Sequence, residues 1–139
     1  MIKLVVFDLD GVLVEARDFH YEALNRALAS FGEKYIISRE EHLSTYDGLN
    51  TSKKLWKLSQ SKGLSLDVHK EIWKKKQKFT HDIIKEKIHP HSHERIYYML
   101  RRLKHEGYKI YCASNSIRSS VKLMLLKAGY MEHIDEYFS

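Results

Sequence analysis

The chain has 139 residues, of which 43% are apolar and 30% are charged, and its formal net charge at pH 7 is +6. This composition is typical of a single globular domain and excludes a disordered, collagen-like or low-complexity chain. The longest apolar runs are far shorter than the roughly 20 residues that a membrane span needs. An acidic residue directly follows the first apolar run, which excludes a secretory signal. The single cysteine, Cys112, excludes an intrachain disulfide and fits a reducing cytoplasm, where we expect this protein.

Most of the positive charge lies between Glu33 and Tyr98. A basic protein suggests a nucleic-acid ligand, and the lysines at 74–76 and 78 fall on a predicted helix. We expect this run to form a solvated helix face rather than a site for a phosphate backbone. Because no helix-turn-helix, zinc-finger or RNA-binding signature accompanies it, we expect neither nucleic acid nor a membrane as the partner.

Three short apolar segments predict strands. Residues 2–7 form a nearly continuous apolar run, which is typical of a strand buried on both faces of a parallel sheet. Residues 109–113 form a second such run, and residues 134–138 begin a third. The second run carries Cys112, which we expect to be inert packing.

Helical spacing of apolar residues dominates the rest of the chain. The predicted helices lie near residues 21–31, 38–44, 51–62, 66–88, 96–103 and 117–128. Ser38 and Glu41 form a capping-box pattern, and glycines follow several helices. The aromatic side chains Trp56, Trp73 and Phe79 occur at helical spacing, and we expect them in a helical core rather than as a stacking platform.

Strands that alternate with helices predict an α/β fold with a parallel sheet. The helical stretch after the first strand is too long for one crossover. We therefore predict an all-helical cap domain at residues 15–90, inserted into a core formed by residues 1–14 and 91–139.

Polar side chains follow the first two predicted strands. Asp8 and Asp10 leave the first strand into a glycine turn, and Ser114, Asn115 and Ser116 follow the second. Ligands of open α/β sheets bind beyond the carboxyl ends of the strands, so both groups should meet at one edge. Ser114 is also a candidate N-cap for the next helix.

Two carboxylates at i and i+2 repel each other and need a cation or a shared proton. Mg²⁺ accepts one or two carboxylates together with main-chain oxygen, water and substrate phosphate. An aspartate can attack a phosphoryl group, and a second aspartate can protonate the leaving oxygen and later activate water. Main-chain N–H groups of the turn and a serine hydroxyl can hold the phosphoryl oxygens.

The segments FDLDGVLV and YCASNS resemble the haloacid dehalogenase (HAD) superfamily, in the subgroup with an inserted helical cap. The chain is most similar to β-phosphoglucomutase-like phosphatases, and the segment YDGLNT looks like the cap motif of the family. The resemblance extends from Met1 to Ser139 and implies a Mg²⁺-dependent mechanism through an aspartyl phosphate.

Site roles follow from this resemblance residue by residue. It implies that Asp8 is the nucleophile and a metal ligand. It implies that Asp10 is the general acid and base, and that it binds the metal through its main-chain carbonyl. Leu9, Ser114 and Asn115 would hold the substrate phosphate.

Several cap residues are candidates for substrate contact, each with a plainer alternative. His20 either faces the active-site mouth or lies on the surface. Asn50 and Thr51 end the cap motif and are candidate substrate contacts. Lys53 and Lys54 follow it, and they either reach the substrate phosphate or are solvated. The segment His89–His93 contains three alternating histidines, which we expect to form a solvated hinge rather than a metal site.

Two motifs of the family do not match any segment of this sequence: a charge-balancing lysine or arginine after the third strand, and an acidic pair after the fourth. We therefore expect a Rossmann-like sheet truncated after its third strand, with the first strand as an apolar edge. Such an edge predicts self-association or a complementing chain.

The sequence thus predicts a Mg²⁺-dependent phosphatase or phosphotransferase that acts on a small phosphomonoester. Whether water or a sugar hydroxyl accepts the phosphoryl group stays open. The alternative is a catalytically impaired N-terminal fragment, or a non-catalytic binding or regulatory protein with the same fold.

Overall fold

A computed structural model describes residues 1, 3–90 and 92–139 of the chain. Its strands are β1 (Leu4–Asp8), β2 (Lys109–Ala113) and β3 (Glu136–Phe138). Its α-helices are α1 (Arg17–Ala29), α2 (Arg39–Glu41), α3 (Thr51–Lys62), α4 (His69–Lys87), α5 (Glu94–His105) and α6 (Arg118–Ala128). No helix within the described residues combines the length and the apolar composition that crossing a bilayer requires.

The strands form one parallel sheet in the order β1-β2-β3. Leu4 lies opposite Lys109 and Asp8 lies opposite Ala113, so β1 and β2 pair over their whole length. This arrangement confirms the predicted α/β fold with a parallel sheet. The third strand begins two residues later than predicted, and Ile2, the first residue of the predicted first strand, lies outside the described residues.

One face of the sheet is packed and the other is open. On the packed face, Ile110 and Cys112 of β2 are fully buried. On the opposite face of β1, Leu4 is 45% exposed and Val6 is 55% exposed. The prediction that the first strand is buried on both faces is therefore wrong for the described chain. No described element covers Leu4 and Val6, and β1 is the edge of the described sheet.

The helix boundaries follow local capping chemistry. The Ser38 and Glu41 side chains form the predicted capping box at the start of α2, which continues as a π-helical turn (His42–Tyr46). The Asn50 side chain accepts a hydrogen bond from the Lys53 N–H, and Gly63 ends α3 with φ 69°. The prediction for residues 51–62 matches α3, whereas the prediction for residues 66–88 resolves into a 3₁₀ turn (Leu66–Val68) followed by α4.

The chain divides into two compact units. The sheet unit comprises residues 1–18 and 81–139, and the helical unit comprises residues 19–80. We predicted a cap domain at residues 15–90, and these domain boundaries stay a prediction, because compact units need not coincide with functional domains. The helical unit has its own apolar core, formed by Leu24, Ala27, Leu28, Ile37, Tyr46, Leu55, Leu58, Leu64 and Ile72.

Two large aromatic side chains of the helical unit are outside this core. Trp56 is 55% exposed and Trp73 is 42% exposed, so the prediction that both are core residues is wrong. Phe79, in contrast, packs partly buried against the core. The physical reason is positional, because Leu55 and Ile72, which immediately precede the two tryptophans, already fill the buried faces of α3 and α4.

Asp135 fastens the start of β3 to β2 and α5. Its main-chain N–H donates to the Ile110 carbonyl at 2.8 Å, and its Oδ2 accepts the Ile110 N–H at 2.7 Å. The Lys104 ammonium donates to both carboxylate oxygens at 2.7 Å. The Lys104 hydrogen bond, followed by the Ile110 N–H, lowers the pKa of the Asp135 carboxyl. Asp135 is thus a structural residue at the entry to the third strand.

We predict that Asp135→Asn lowers the free energy of unfolding at pH 7 by about 1 kcal/mol, because a charge-assisted pair is lost at a partly exposed position. The folded-state pKa lies below the ordinary value of 3.8, so the wild-type advantage is present above that pH. It should disappear as the pH falls through the lowered pKa. Urea unfolding at neutral and acidic pH measures both effects.

The matched control is Glu136→Gln, which removes an exposed carboxylate one residue further on. We expect it to change the unfolding free energy by less than about 0.5 kcal/mol. An equal effect of the two substitutions, or a pH-independent effect of Asp135→Asn, would contradict the assigned role of Asp135.

Candidate active site

Parallel pairing of β1 with β2 brings two polar segments to one edge of the sheet. Asp8, the last residue of β1, lies opposite Ala113, the last residue of β2. The segments that follow, Leu9–Gly11 and Ser114–Ser116, therefore leave neighbouring strands at the same end. The backbone thus confirms the prediction that the two polar segments meet at one edge of the sheet.

The turn after β1 winds around one carbonyl. The N–H groups of residues 12–14 all donate to the Leu9 carbonyl, at 3.0–3.2 Å, and the Gly11 N–H donates to the Val14 carbonyl at 2.7 Å. Gly11 has φ 76°, in the left-handed region that favours glycine. Leu9 and Leu13 anchor the turn because their side chains are completely or almost completely buried. The tight winding turns the main chain back within a few residues and fixes where Asp8 and Asp10 leave the sheet.

Asp8 is exposed at the carboxyl end of β1, and one of its two oxygens has a main-chain donor. The Leu9 N–H donates to Asp8 Oδ1 at 2.7 Å. This N–H group is one that we predicted as a phosphate donor, and a bound phosphate would have to take it over from the carboxylate. The hydrogen bond orients the carboxyl group and leaves Oδ2 as the oxygen not engaged by Leu9.

The two polar segments are connected through Ser116. The Ser116 hydroxyl donates to Asp10 Oδ2 at 3.2 Å, and the Ser116 main-chain N–H donates to Ser114 Oγ at 3.1 Å. Ser116 is buried, Asp10 and Ser114 are half-buried, and Asn115 is exposed. The sequence did not indicate a role for Ser116, because its hydrogen-bond partner Asp10 is 106 residues away in the chain.

Ser114 is not the N-cap of α6, and that prediction is wrong. The helix begins at Arg118, its N-cap is Ile117, and no side chain caps it. The Ser114 hydroxyl instead accepts the Ser116 N–H within a short turn, while the Ser114 N–H donates to the Phe138 carbonyl at 3.0 Å. Ser114 is therefore held between β2 and β3 and is positioned by the sheet.

A cation that sequence reasoning missed lies against this turn. A Cβ built on Gly11 would be 2.8 Å from Arg17 Nε and 3.1 Å from Arg17 Nη2. The guanidinium of Arg17 therefore packs on the residue that follows Asp10. The spacing from Asp10 to Arg17 matches no motif that we recognised, so only the folded turn reveals this neighbour.

The oxygen atoms of this turn are of the kind that Mg²⁺ prefers as ligands. Asp8 and Asp10 provide hard carboxylate and carbonyl oxygens, and Mg²⁺ takes its remaining ligands from water and phosphate. Within the described residues, no group of three or more His, Cys, Asp or Glu side chains could hold a metal ion. His91 lies outside the described residues, and the solvated hinge at His89–His93 stays a prediction.

Negative charge at this edge acts on Cys112, the neighbour of Phe7 in the sheet. The thiol is buried, and burial raises its pKa to about 11, with further contributions from the charges of Asp8 and Asp10. The negative charge of the two carboxylates therefore acts on a side chain inside the sheet. A bound cation would offset such a local excess of negative charge.

The remaining predicted site residues belong to the helical unit. His20 is half-buried on α1, and Lys53 is exposed on the first turn of α3. Asn50 is the N-cap of α3, and Thr51 Oγ1 accepts a hydrogen bond from the buried Lys76 ammonium at 3.2 Å. Burial lowers the pKa of the neighbouring Lys54, against an opposing effect of Asp47. Thr51 and Lys76 are thus brought together, which the spacing of 25 residues did not indicate.

The fold and this edge of the sheet define an α/β protein with a paired-aspartate turn after its first strand. The family model of the haloacid dehalogenase-like hydrolases matches residues 5–139. The chain belongs to this family. No curated protein is detectably similar to it in sequence.

Solved structures share the fold at low sequence identity. CbbY from Rhodobacter sphaeroides, crystallised with xylulose-(1,5)bisphosphate, superposes with a TM-score of 0.78 and 19% identity over 99% of this chain and 63% of its own. A β-phosphoglucomutase-like protein from Thermotoga maritima gives 0.73 and 19%, over 99% and 61%. A phosphoglycolate phosphatase-like protein from Haemophilus somnus gives 0.74 and 19%, over 99% and 62%. The chain thus spans about three fifths of the length of these relatives.

We predict that Cys112 reacts with a disulfide reagent at pH 8 about 100-fold more slowly in the folded chain than in urea. A pKa of about 11 leaves far less thiolate than the ordinary value of 9.0. Absorbance of the released thiol measures the rate, and this cysteine is the only one in the sequence. A folded-state rate within threefold of the unfolded rate would contradict the burial of Cys112.

Proposed function

We propose that this protein is a phosphohydrolase that transfers the phosphoryl group of a small phosphomonoester to Asp8. The observation that carries the proposal is the juxtaposition of Asp8 and Asp10 at the carboxyl end of β1, with Ser116 of the neighbouring segment hydrogen-bonded to Asp10. Membership of the HAD-like hydrolases supports it.

In the first step, Asp8 Oδ2 attacks the phosphorus atom. A bond forms between that oxygen and phosphorus as the bond from phosphorus to the ester oxygen breaks. Before the substrate binds, the Leu9 N–H orients Asp8 through Oδ1, and a bound phosphate would take over this donor. The product of this step is an aspartyl phosphate and a leaving alkoxide, which needs a proton.

Asp10 supplies that proton and later takes one back. In its protonated form it donates to the leaving oxygen, and as a carboxylate it then accepts a proton from the water that attacks phosphorus. The second attack cleaves the bond between phosphorus and Asp8 and releases inorganic phosphate. Ser116 is a positioning residue here, because its hydroxyl holds Asp10 Oδ2 on the side of β2.

Negative charge accumulates on the phosphoryl oxygens, and several groups can balance it. Asp8 and the main-chain carbonyl of Asp10 would hold Mg²⁺, whose positive charge would offset that of the carboxylates and the phosphate. Ser114 and Asn115 would donate to phosphoryl oxygens from the end of β2. Arg17 contributes a permanent positive charge next to Gly11.

For the substrate we propose a small phosphorylated metabolite, with His20, Asn50, Thr51 and Lys53 of the helical unit as its further contacts. The complex of Rhodobacter CbbY with a sugar bisphosphate supports this class of ligand. Phosphatase and mutase activity differ only in whether water or a substrate hydroxyl takes the phosphoryl group. We place the reaction in the cytoplasm, because the one cysteine is buried and unpaired with another.

We predict that the purified chain hydrolyses an aryl phosphate in the presence of Mg²⁺ and that Asp8→Asn abolishes the reaction. The amide cannot act as the nucleophile, whereas its size and hydrogen bonding are nearly unchanged. Release of the coloured phenolate, with and without chelator, measures the rate.

The matched control is Asp67→Asn, the same chemical change at an exposed turn of the helical unit, which should keep the wild-type rate. Equal rates for Asp8→Asn and the wild type would contradict the role of Asp8. Phosphate binding by a folded chain that shows no turnover would instead favour the alternative of a non-catalytic binding protein.

We propose in addition that the open edge of β1 pairs with a polypeptide strand from a second copy of the chain. Exposed Leu4 and Val6 present an apolar face beside main-chain groups that no described strand engages. Such edges pair readily with other strands. A complementing chain is the rival occupant.

We predict that the wild-type chain sediments as a dimer at micromolar concentration and that Val6→Lys shifts it to a monomer, because a buried ammonium would be unsolvated at the interface. Val12→Lys changes an exposed valine that lies in the turn instead of the strand, and it should leave the dimer intact. A wild-type monomer would contradict self-pairing and leave β1 for a complementing chain.

A further inference from the structure

A five-residue pattern occurs twice in the helical unit, once on each of two consecutive helices. Residues 53–57 of α3 read KKLWK and residues 70–74 of α4 read KEIWK. In both, the aliphatic residue before tryptophan is buried, with Leu55 at 2% and Ile72 at 0% exposure, whereas the tryptophan itself is exposed. Each helix is thus anchored by the aliphatic side chain and exposes a tryptophan that has one lysine three residues before it and another directly after it.

Trp56 contacts His69, the first residue of α4. The His69 ring packs edge-on against Trp56, with 6.0 Å between ring centroids and an interplanar angle of 90°. Ser59 Oγ and His69 Nε2 form a hydrogen bond of 2.7 Å, which fixes that ring. Trp73 follows His69 by one helical turn. Residues four apart on a helix lie on the same face, so Trp73 shares a face of α4 with His69. We call the part of α3 and α4 that carries these exposed rings the Trp56–Trp73 surface.

The charge around this surface is strongly positive. Residues 51–80 contain nine lysines and two acidic residues, Asp67 and Glu71. The lysines that flank the two tryptophans, at positions 53, 57, 70 and 74, are all exposed. Lys75 and Lys76 interact elsewhere, with Ser30 and Thr51 respectively. Lys78 is exposed as well. Exposed cations thus accompany both exposed indoles.

We propose that the Trp56–Trp73 surface binds single-stranded nucleic acid without sequence preference. Nucleobases would stack on the two indoles, and the flanking lysines would neutralise phosphates of the strand. Lysine binds phosphate as a point charge and, unlike a pair of arginine forks, does not read bases by itself. Both tryptophans are exposed and therefore available for stacking, which the expectation of a helical core had excluded.

The alternation of aromatic and basic residues favours a nucleic-acid strand over a membrane. A helix that lies on a bilayer separates a broad apolar face from a basic one. Here the apolar faces of α3 and α4 are buried in the unit core, and each exposed tryptophan is followed directly by an exposed lysine. A protein partner fits less well, because lysine is depleted in the buried centres of protein interfaces.

The experiment titrates the chain into a fluorescently labelled oligo-dT or oligo-U of about 20 nucleotides and follows anisotropy together with tryptophan fluorescence. We expect saturable binding, quenching of tryptophan, and weaker binding to a duplex of equal length. Trp56→Leu with Trp73→Leu should weaken binding by about tenfold or more, because leucine keeps apolar area but cannot stack. The corresponding phenylalanine pair should stay within threefold of the wild type.

Salt dependence tests the lysines independently of stacking. Lys57→Ala with Lys74→Ala should reduce the slope of log affinity against log salt by about 1.4, or about 0.7 for each cation. The control pair, Lys34→Ala with Lys122→Ala, removes the same charge from exposed positions outside the surface and should leave the slope unchanged.

Three outcomes would overturn the proposal. The first is no binding of either oligonucleotide at low salt. The second is binding that the leucine pair does not weaken and that polyglutamate reproduces, since charge alone would then explain it. The third is tighter binding to vesicles containing phosphatidylglycerol than to the oligonucleotides, which would assign the surface to a membrane.

Discussion

The pairing of β1 with β2 is the constraint on which the rest of the account depends. Parallel strands end at the same edge, so the register that sets Asp8 opposite Ala113 also sets the aspartate turn beside the Ser114–Ser116 segment. One hydrogen bond, from Ser116 to Asp10, then connects the two segments across 106 residues of sequence. Without that register, the two carboxylates would be an unexplained concentration of charge.

The two neighbouring carboxylates repel each other. The structure shows which nearby group their charge affects and which nearby groups are placed to offset it. Asp8 and Asp10 add to the effect of burial on Cys112 and help to keep its thiol protonated. Arg17 lies against Gly11, and the Leu9 N–H donates to Asp8. One carboxylate is oriented and the other is tethered, so the donors at this edge are fixed before any substrate binds.

Much of this arrangement could be predicted from local sequence. An apolar run ending in DLDG indicated the end of the first strand, and the capping box of Ser38 and Glu41 indicated the start of a helix, because these signals act over a few residues. The exposure of Leu4, Val6, Trp56 and Trp73 could not be predicted, since it depends on which faces other elements cover. The Ser116–Asp10 and Thr51–Lys76 hydrogen bonds and the Arg17 contact with Gly11 join side chains that no spacing rule connects.

The central claim is that Asp8 carries the phosphoryl group, and chemical trapping tests it most directly. Chain that is turning over an aryl phosphate with Mg²⁺ is quenched in acid and treated with borohydride, which reduces an acyl phosphate to an alcohol. Peptide mass spectrometry should then show homoserine at position 8 and unmodified Asp10. Phosphate release with aspartate intact at position 8, or with the modification on another residue, would contradict the account.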